Sequence, residues 1–284
     1  MRHEIRGSTA FITIDNPPAN TWTPDSLLEL EALVARLEDD RGIYAAVITG
    51  AGAKFFSAGA DLERFRGDPG SAREFIARFG QAFGALMDSR FVTIAAINGY
   101  AMGGGLECAL ACDIRIAEEH AQMALPEPAV GLQPGGCGTQ NLPWLVGEGW
   151  AKRMILTNER VDAPTALRVG LVEEVVPKGQ SLEAATKMAE RVATLSPRAV
   201  AHCKALIHNA RNGIARREGL MLERELFVEL FEHGDVFEGV RALLVDKDNA
   251  PRWNPATLAE VGRDRVEAFF RPRWDPQDHP LAHL

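Results

Sequence analysis

Cysteine is scarce in this chain of 284 residues, and its spacing excludes several kinds of site. The four cysteines are Cys108, Cys112, Cys137 and Cys203. No two of them form a Cys-x-x-Cys pair, and none joins histidines at zinc-binding spacing. A chain of this length buries about three quarters of its extended surface, so it needs neither disulfides nor a structural metal. We therefore expect small, reduced, buried thiols, as in a cytoplasmic protein.

Long apolar runs are also lacking. No stretch of about 18 apolar residues occurs, so the sequence predicts no membrane-spanning helix. The chain starts Met1-Arg2-His3 and reaches Asp15 after only a short apolar run, which is not typical of a signal peptide. Both observations favour a cytoplasmic protein that does not associate with membranes.

Positive charge is in the minority. The chain has 31 Lys and Arg against 39 Asp and Glu, for a net charge of −8. This balance argues against non-specific binding to nucleic acid or to an anionic membrane. Hydrophobic residues make up 46% and charged residues 25%, which excludes a disordered, collagen-like or coiled-coil chain. An anionic ligand would have to be bound by a few local groups.

Short β-branched runs alternate with helical patterns over the first 180 or so residues. The runs predict strands at Ala10–Ile14, Ala45–Thr49, Val92–Ile97, Ile114–Ala117 and Val172–Val176. Helical spacing of apolar residues predicts helices at Asp25–Asp39 and Ser71–Met87. This alternation indicates an α/β architecture.

After Pro177 the pattern becomes helical. Helices are predicted at Ser181–Leu195, Arg198–Ala210, Ala215–Phe231, Val236–Val245 and Pro255–Phe269. We therefore divide the chain into an α/β body over residues 1–195 and a helical C-terminal region over residues 196–284.

Glycines are concentrated where two of the predicted strands end. One cluster is Ser57-Ala58-Gly59-Ala60-Asp61-Leu62, and the other is Gly103–Gly105, which leads into a predicted helix over Leu106–Cys112. Each glycine at a helix start costs about 1 kcal/mol relative to alanine. Two explanations remain open: bare N–H groups that bind an anion, or close packing of the helix on a strand. Neither a dinucleotide fingerprint nor a P-loop is complete here.

Two glutamates have apolar neighbours. Glu107 follows the triple glycine, and we expect its side chain to lean toward the Gly104 N–H with a pKa raised by burial. Glu127 lies between Pro126 and Pro128, which fix the backbone on either side. Paired carboxylates in apolar surroundings favour acid–base chemistry. The sequence leaves open whether the two meet, and a solvated or helix-dipole role is the alternative for Glu107.

These segments resemble the signature of the enoyl-CoA hydratase/isomerase superfamily, the crotonases. The resemblance is carried by Ser57–Asp61, by Asn98-Gly99, Gly103–Gly105 and Cys112-Asp113 within Ile94–Ile114, and by Pro126-Glu127, Gly131, Pro134-Gly135 and Gly138-Thr139-Gln140. With Asn16-Pro17 and Gly170-Leu171-Val172, the match covers about residues 5–245. It implies an α/β fold, a crotonase-like spiral of ββα turns with a helical C-terminal trimerisation region.

The resemblance also implies a substrate class and an assembly. The substrate is an acyl-CoA thioester, and the assembly is a homotrimer or a dimer of trimers. No metal and no separate cofactor are implied, because CoA enters as part of the substrate. Phe75, Phe79, Met87, Trp144 and Phe269 are candidates to line the acyl pocket, although core packing is favoured for each.

In such proteins two backbone N–H groups bind the thioester oxygen, and by position these belong to Ala60 and Gly104. Hydratases of the family have glutamates that match Glu107 and Glu127. Glu107 would deprotonate the water that attacks C3 of a 2-trans-enoyl-CoA, while Glu127 would share that water and supply a proton to C2. The N–H of Gly135 matches a group that positions the water. Which glutamate carries each proton stays open.

The CoA-binding residues implied by the resemblance depart from the family pattern in part. They are Ser57, Ala58, Ala60, Asp61, Leu62, Arg64 and Lys247. Glu63 stands where hydratases often have lysine, so Arg64, Arg66 or Lys247 would have to bind the phosphates. For Asp61 we favour a helix cap before Leu62. Asn141 stands where the family often has arginine.

Other activities of the superfamily remain as alternatives. The segment from Asp235 to Pro255 resembles the end of 3-hydroxyisobutyryl-CoA hydrolases. Those enzymes have glycine at the position of Glu107 and Pro-Asp at Pro134-Gly135, so the site residues favour a hydratase. An enoyl-CoA isomerase relies on one carboxylate, and a decarboxylase is a further alternative. A non-catalytic acyl-CoA-binding protein would not need Glu107.

Overall fold

The structure of the chain is a computed structural model that describes residues 1–62, 69–195 and 235–252, together with residues 200–201, 203–204, 207–208, 224, 228 and 231. The strands in these residues are β1 (Arg2–Arg6), β2 (Thr9–Ile14), β3 (Ala45–Gly50), β4 (Phe55–Ser57), β5 (Val92–Ile97), β6 (Tyr100–Met102), β7 (Ile114–Glu118), β8 (Gln122–Ala124), β9 (Val161–Asp162) and β10 (Glu174–Val176). The helices are α1 (Pro24–Asp39), α2 (Pro69–Asp88), α3 (Gly104–Ala111), α4 (Gly138–Leu156), α5 (Ala163–Val169), α6 (Ser181–Ala193) and α7 (Asp235–Val240). A 3₁₀ turn covers Glu127–Val130, and a π-helical turn over Arg241–Val245 follows α7.

The strands form two sheets that the chain visits in alternation. The larger sheet has the order β1-β2-β3-β5-β7-β10, and the smaller has the order β4-β6-β8-β9. The pairs β2–β3, β3–β5, β5–β7 and β7–β10 are parallel, as are β4–β6 and β6–β8. Successive units such as β3-β4-α2 and β5-β6-α3 each add one strand to each sheet. The result is the spiral of ββα turns that the family resemblance implied.

The close approach of the two sheets explains the glycines at the strand ends. A Cβ atom at Gly99, between β5 and β6, would lie 2.2 Å from the carbonyl oxygen of Lys54. A Cβ at Gly105, in the first turn of α3, would lie 2.2 Å from the carbonyl oxygen of Ser57. Packing therefore accounts for Gly105 within the triple glycine.

Helix α1 shows how local sequence sets an element's bounds. Pro24 occupies the first turn, and Thr23 and Ser26 form a reciprocal capping box. The apolar side chains on one face, Leu27, Leu30, Val34 and Leu37, are buried in the main core. Burying each such side chain contributes about 1.5–3 kcal/mol.

The cysteines are free thiols. Cys108, Cys112 and Cys137 are buried, as expected for small apolar residues, whereas Cys203 is exposed. Burial raises the pKa of Cys112 to about 12.

Most predicted strands of the larger sheet are confirmed within one residue, and the strand that differs by two has a local cause. The last predicted strand was expected to begin at Val172, but β10 begins at Glu174. The N–H groups of Leu171 and Val172 instead donate to the carbonyl of Ala166 within α5. The predicted helices over 198–210 and 215–231 lie largely outside the described residues, and the one over 255–269 lies entirely outside them. The boundary at residue 195 stays a prediction.

Asn98 fixes the connection between β3 and β4, and its loss should be costly. Its Nδ2 donates to the carbonyls of Gly50 (2.9 Å) and Gly52 (2.8 Å), and its Oδ1 accepts from the Gly50 N–H at 3.1 Å. We expect Asn98→Ala to lower the free energy of unfolding by about 3 kcal/mol, because it leaves buried backbone groups without these partners. Urea unfolding measures the loss. In Thr186→Ala, on the exposed face of α6, the change should stay within about 0.5 kcal/mol; equal effects would contradict this role of Asn98.

Candidate active site

A cavity of about 370 Å³ lies where three successive ββα turns meet. Its lining includes Ala58, Gly59, Ala60 and Leu62 after β4, Gly104 and Glu107 of α3, Glu127 of the 3₁₀ turn, and Gly135 before α4. The volume falls within the range of ordinary small-molecule sites. Glu107 and Glu127, which the sequence alone could not bring together, therefore line the same cavity.

The backbone of Ala60 presents its N–H away from the neighbouring strand segment. Trp22 forms a parallel bridge with Ala60, in which the Trp22 N–H donates to Gly59 (2.8 Å) and the Asp61 N–H donates to Trp22 (2.9 Å). Backbone groups alternate in direction along an extended chain, so the N–H of Ala60 points to the opposite side.

Gly104 begins α3 beside Ala60. A Cβ at Gly104 would lie 3.6 Å from the Ala60 nitrogen, and a Cβ at Gly59 would lie 3.2 Å from the Gly104 nitrogen. The first helical N–H has no acceptor within its own helix, and it lies at the positive end of the helix dipole. Gly103 precedes it with φ +52°, a conformation that favours glycine. Two N–H donors thus occur side by side at the cavity, which is the arrangement of an oxyanion hole.

Glu107 is held by the start of the next helix. Its Oε1 accepts hydrogen bonds from the backbone N–H groups of Gly136 (2.8 Å), Cys137 (3.0 Å) and Gly138 (2.8 Å). The expectation that its carboxylate leans toward Gly104 is therefore wrong. Since Cys137 provides no side-chain cap to α4, the carboxylate of Glu107 caps that helix.

The environment of Glu107 is apolar, and its side chain is almost completely buried, with 3% exposed. Burial raises the pKa of the Glu107 carboxyl above its usual value of 4.5. The N–H groups of Cys137, Gly138 and Gly136 and the positive charge of Arg224 lower it in opposition. The predicted direction of the pKa shift is confirmed. A carboxylate in such surroundings is suited to proton transfer near neutral pH.

Glu127 approaches the cavity from another segment. It begins the 3₁₀ turn behind Pro126, and Gly131 ends the turn with φ +75°. The Leu132 N–H donates to the Glu127 carbonyl at 3.0 Å, which closes the loop. A Cβ at Gly103 would lie 2.9 Å from Glu127 Oε1, so this carboxylate lies directly beside the start of α3. The half-buried Glu127 and the buried Glu107 thus line one cavity.

The predicted CoA contacts fall into three groups. Ala58, Ala60 and Leu62 line the cavity. Ser57 is fully buried, and its hydroxyl accepts from the Gly59 N–H at 3.2 Å, so it supports the loop from behind. Asp61 donates its N–H to Trp22, while the cap predicted for it cannot be followed because Arg64 and its neighbours lie outside the described residues. Lys247 is exposed, with φ +55°, and is not among the cavity-lining residues.

Among the acyl-pocket candidates, Phe79 lines the cavity. Phe75 is buried in the core, Met87 faces a different cavity, and Trp144 is 62% exposed. Phe269 lies outside the described residues. Asn141, where the family often has arginine, is buried and donates to the Leu110 carbonyl at 3.1 Å, which ties α4 to α3.

A larger cavity of about 680 Å³ lies at the C-terminal end of α3. Its charged groups are engaged in structural contacts: Asp113 bonds the Thr93 N–H and hydroxyl and pairs with Lys204 at 2.8 Å. Neither Glu107 nor Glu127 reaches it. The smaller cavity is therefore the candidate active site.

The sequence reasoning missed Gly136, Cys137 and Gly138 as the groups that hold Glu107. A signal was present, because Gly135-Gly136-Cys137-Gly138 is a run of small residues directly before a helix, where N–H groups are bare.

Within the described residues, no helix is both long and apolar enough to cross a membrane. In the same part of the chain, no group of three or more His, Cys, Asp or Glu side chains could hold a metal ion.

Comparison with known proteins shows which family the chain is similar to. The sequence model of the enoyl-CoA hydratase/isomerase family matches residues 4–253. The short-chain-enoyl-CoA hydratase of Clostridium acetobutylicum is 36% identical over 85% of this chain and 93% of its own. The crotonyl-CoA hydratase of Syntrophomonas wolfei is 37% identical over 83% and 91%. The solved structure of Pseudomonas aeruginosa DspI is 63% identical, with a TM-score of 0.74 over 81% of this chain and 95% of that one.

Proposed function

Because the chain belongs to the enoyl-CoA hydratase/isomerase family, we propose that it is an enoyl-CoA hydratase, a hydro-lyase that adds water to a 2-trans-enoyl-CoA and gives a 3-hydroxyacyl-CoA. The observation that carries the proposal is the meeting of two carboxylates, Glu107 and Glu127, with the paired N–H groups of Ala60 and Gly104 in one apolar cavity. Relatives named as hydratases align over most of the chain and support it.

The paired N–H groups account for activation of the thioester. As water adds to C3, negative charge develops on the thioester oxygen, and the N–H groups of Ala60 and Gly104 stabilise it. Each such donor contributes roughly a factor of 10²–10³ to the rate. The apolar lining strengthens both hydrogen bonds by excluding water.

The hydrogen bonds of Glu107 assign its two oxygens different tasks. Oε1 already accepts three backbone N–H groups, so Oε2 is the oxygen left to take the proton from water. Glu127, from the opposite loop, hydrogen-bonds the same water and, in its protonated form, delivers a proton to C2, while the N–H of Gly135 orients the water. The proton that Glu107 has taken then returns to Glu127 through the next water to enter, which restores both carboxyl groups. Syn addition follows, since both carboxylates act on the same water.

Two assays on the purified protein test the proposal. The first follows the ultraviolet absorbance of the conjugated enoyl thioester in crotonyl-CoA. The second measures free thiol released from 3-hydroxyisobutyryl-CoA. Loss of enoyl absorbance without thiol release supports the hydratase. Thiol release without loss of enoyl absorbance would favour the hydrolase, and silence in both assays across short-, medium- and long-chain substrates would contradict catalysis.

Gly59 offers a sharp test of the N–H pair. A Cβ there would lie 2.7 Å from the Met102 carbonyl oxygen and 3.2 Å from the Gly104 nitrogen, and φ is +93°. We expect Gly59→Ala to lower kcat by about 10²–10³-fold, because it separates the two donors. Gly52→Ala is the matched control, since φ is +78° but its Cβ would meet nothing within 4 Å. An equal loss of kcat in both variants would show that backbone strain, and not the spacing of the donor pair, lowers the rate. A wild-type kcat in Gly59→Ala would contradict the role of the donor pair.

We further propose that the protein works in the cytoplasm as a homotrimer or a dimer of trimers. Free thiols in the chain are consistent with a reducing compartment. Large exposed apolar side chains on α4, Trp144 (62%) and Leu156 (72%), offer area that subunits could bury. Sedimentation velocity at micromolar concentration tests the assembly, and a monomer there would contradict it.

A further inference from the structure

Arg224 is a buried cation from the C-terminal part of the chain. Its side chain is 1% exposed and is among the largest fully buried side chains of the described residues. A charge out of water is costly unless nearby groups compensate for it. None of the catalytic steps proposed above involves this residue.

Helix α2 makes room for Arg224 at Gly80. A Cβ at Gly80 would lie 2.2 Å from Cζ of Arg224, 2.3 Å from Nη2 and 2.4 Å from Nε. Any side chain at residue 80 would therefore displace the guanidinium. Glycine inside a helix lowers stability by about 1 kcal/mol relative to alanine. At residue 80 the missing side chain leaves the space that the Arg224 guanidinium occupies.

The same segment of α2 contacts the surroundings of Glu107. Phe83 lies three residues after Gly80, on the same side of the helix. Its Cδ2 is 3.2 Å from the position that a Gly136 Cβ would take, and that position is 2.8 Å from Glu107 Oε2. The positive charge of Arg224 lowers the pKa of Glu107, against the effect of burial. Arg224 thus adds to the backbone N–H groups that favour the carboxylate.

We propose that Arg224 is a positioning residue whose buried charge favours the carboxylate form of Glu107, and that Gly80 is the gap in α2 that admits its guanidinium. The inference rests on the proposed function, because the ionised form of Glu107 is the one that takes the proton from water. Arg224 acts through Glu107 and does not need to touch the substrate.

The other titratable groups that face Glu107 come from three elements. Glu127 of the 3₁₀ turn lines the same cavity. The Cys137 thiol, before α4, donates to the Glu107 backbone carbonyl at 3.3 Å, and Cys108 follows Glu107 in α3. The residues of α2 that border this cavity, Ile76 and Phe79, are apolar. Two described cations also belong to these surroundings: Arg160, which lines the cavity with its guanidinium 5.5 Å from the centre of the Tyr100 ring, and Arg224. The charge of Arg224 lowers the pKa of Glu107, so its removal should raise that pKa while Arg160 stays in place.

The test compares pH–rate profiles of wild type, Arg224→Met and Arg224→Lys. In Arg224→Met we expect the acidic limb of kcat/KM to move up by roughly one pH unit, because Glu107 then protonates more easily. Turnover should recover at higher pH, and Arg224→Lys should keep the wild-type limb. Arg115→Met is the matched control: Arg115 is buried too (3% exposed) but pairs with Glu173 away from the cavity. It should lower stability without moving the limb.

A second readout does not depend on turnover. Infrared difference spectra between each protein and its Glu107→Gln counterpart report the protonated carboxyl of Glu107 during a pH titration. We expect the Arg224→Met midpoint to lie above that of wild type. Because this midpoint is measured without substrate, it tests the inference about Arg224 independently of the hydratase assay.

The outcomes are distinct. Identical infrared titrations of Glu107 in wild type and Arg224→Met would overturn the inference and leave Arg224 a structural residue. An acidic limb of kcat/KM that moves equally in Arg115→Met would also overturn it. If Arg224→Met does not fold, Gly80→Ala replaces it, since its methyl group displaces the guanidinium and should move the limb in the same direction. An unmoved limb there would also overturn the inference.

Discussion

Glu127→Gln is expected to lower kcat for hydration by roughly 10²–10⁴-fold while leaving the fold and acyl-CoA binding intact. The amide has nearly the shape of the carboxylate, so the 3₁₀ turn and its closing bond from Leu132 to the Glu127 carbonyl are preserved. What is lost is the group that passes a proton to C2. Stopped-flow absorbance with crotonyl-CoA gives kcat, and isothermal titration with a saturated acyl-CoA gives the affinity.

The control for this variant is Glu119→Gln. Glu119 is exposed and lies outside the cavity, and its backbone N–H donates to the Val176 carbonyl. It should retain wild-type turnover. A Glu127→Gln protein that kept more than half of the wild-type rate would end the assignment of Glu127 as a proton donor.

Glu107→Gln is expected to lower turnover by a similar factor and, unusually, to raise stability at neutral pH. The raised pKa means that folded Glu107 holds its proton more tightly than the unfolded chain does. Stability of the wild type is therefore lost as the pH rises from the usual value of 4.5 through the folded-state pKa. Glutamine keeps an oxygen acceptor for the three N–H groups at α4 and has no such loss.

The measurement is thermal unfolding of both proteins across this pH range. The advantage of Glu107→Gln should grow with pH by about 1.4 kcal/mol for each unit of the pKa shift, and it should vanish below the unfolded-state value. Glu118→Gln is the buried control, since Glu118 binds Ser181 at 2.8 Å outside the cavity. It should keep turnover. An advantage that shrinks as pH rises would contradict a raised pKa at Glu107.

The larger sheet was predictable from the sequence because its strands are continuous buried runs. Val92–Ile97 is buried at every residue and was predicted with its observed bounds. The strands of the smaller sheet have only two or three residues, too few to show a period. Strand β1 was missed because all five of its residues are exposed. Helix α4 was missed because Pro143 and the non-helical Gly147 interrupt its pattern.

The chemistry of the site was predictable further than its geometry. The apolar neighbours of Glu107 and Glu127 were enough to indicate acid–base chemistry, and the family resemblance carried by their segments indicated the reaction. The roles of Ala60, Gly104, Glu107 and Glu127 remain predictions that the variants test. Which groups hold Glu107 depended on how α3 and α4 pack, a tertiary relation that local patterns do not encode. The contribution of Arg224 depended on a glycine in α2 some 140 residues away, for which no spacing rule exists.

The capping of α4 by Glu107 has a consequence for the charge of the cavity wall. If that glutamate became glycine, the N–H groups of Gly136, Cys137 and Gly138 would lose their carboxylate acceptor. They would then form an anion-binding site at the start of α4. One codon change would thus remove a base and create an electropositive recess in the same wall.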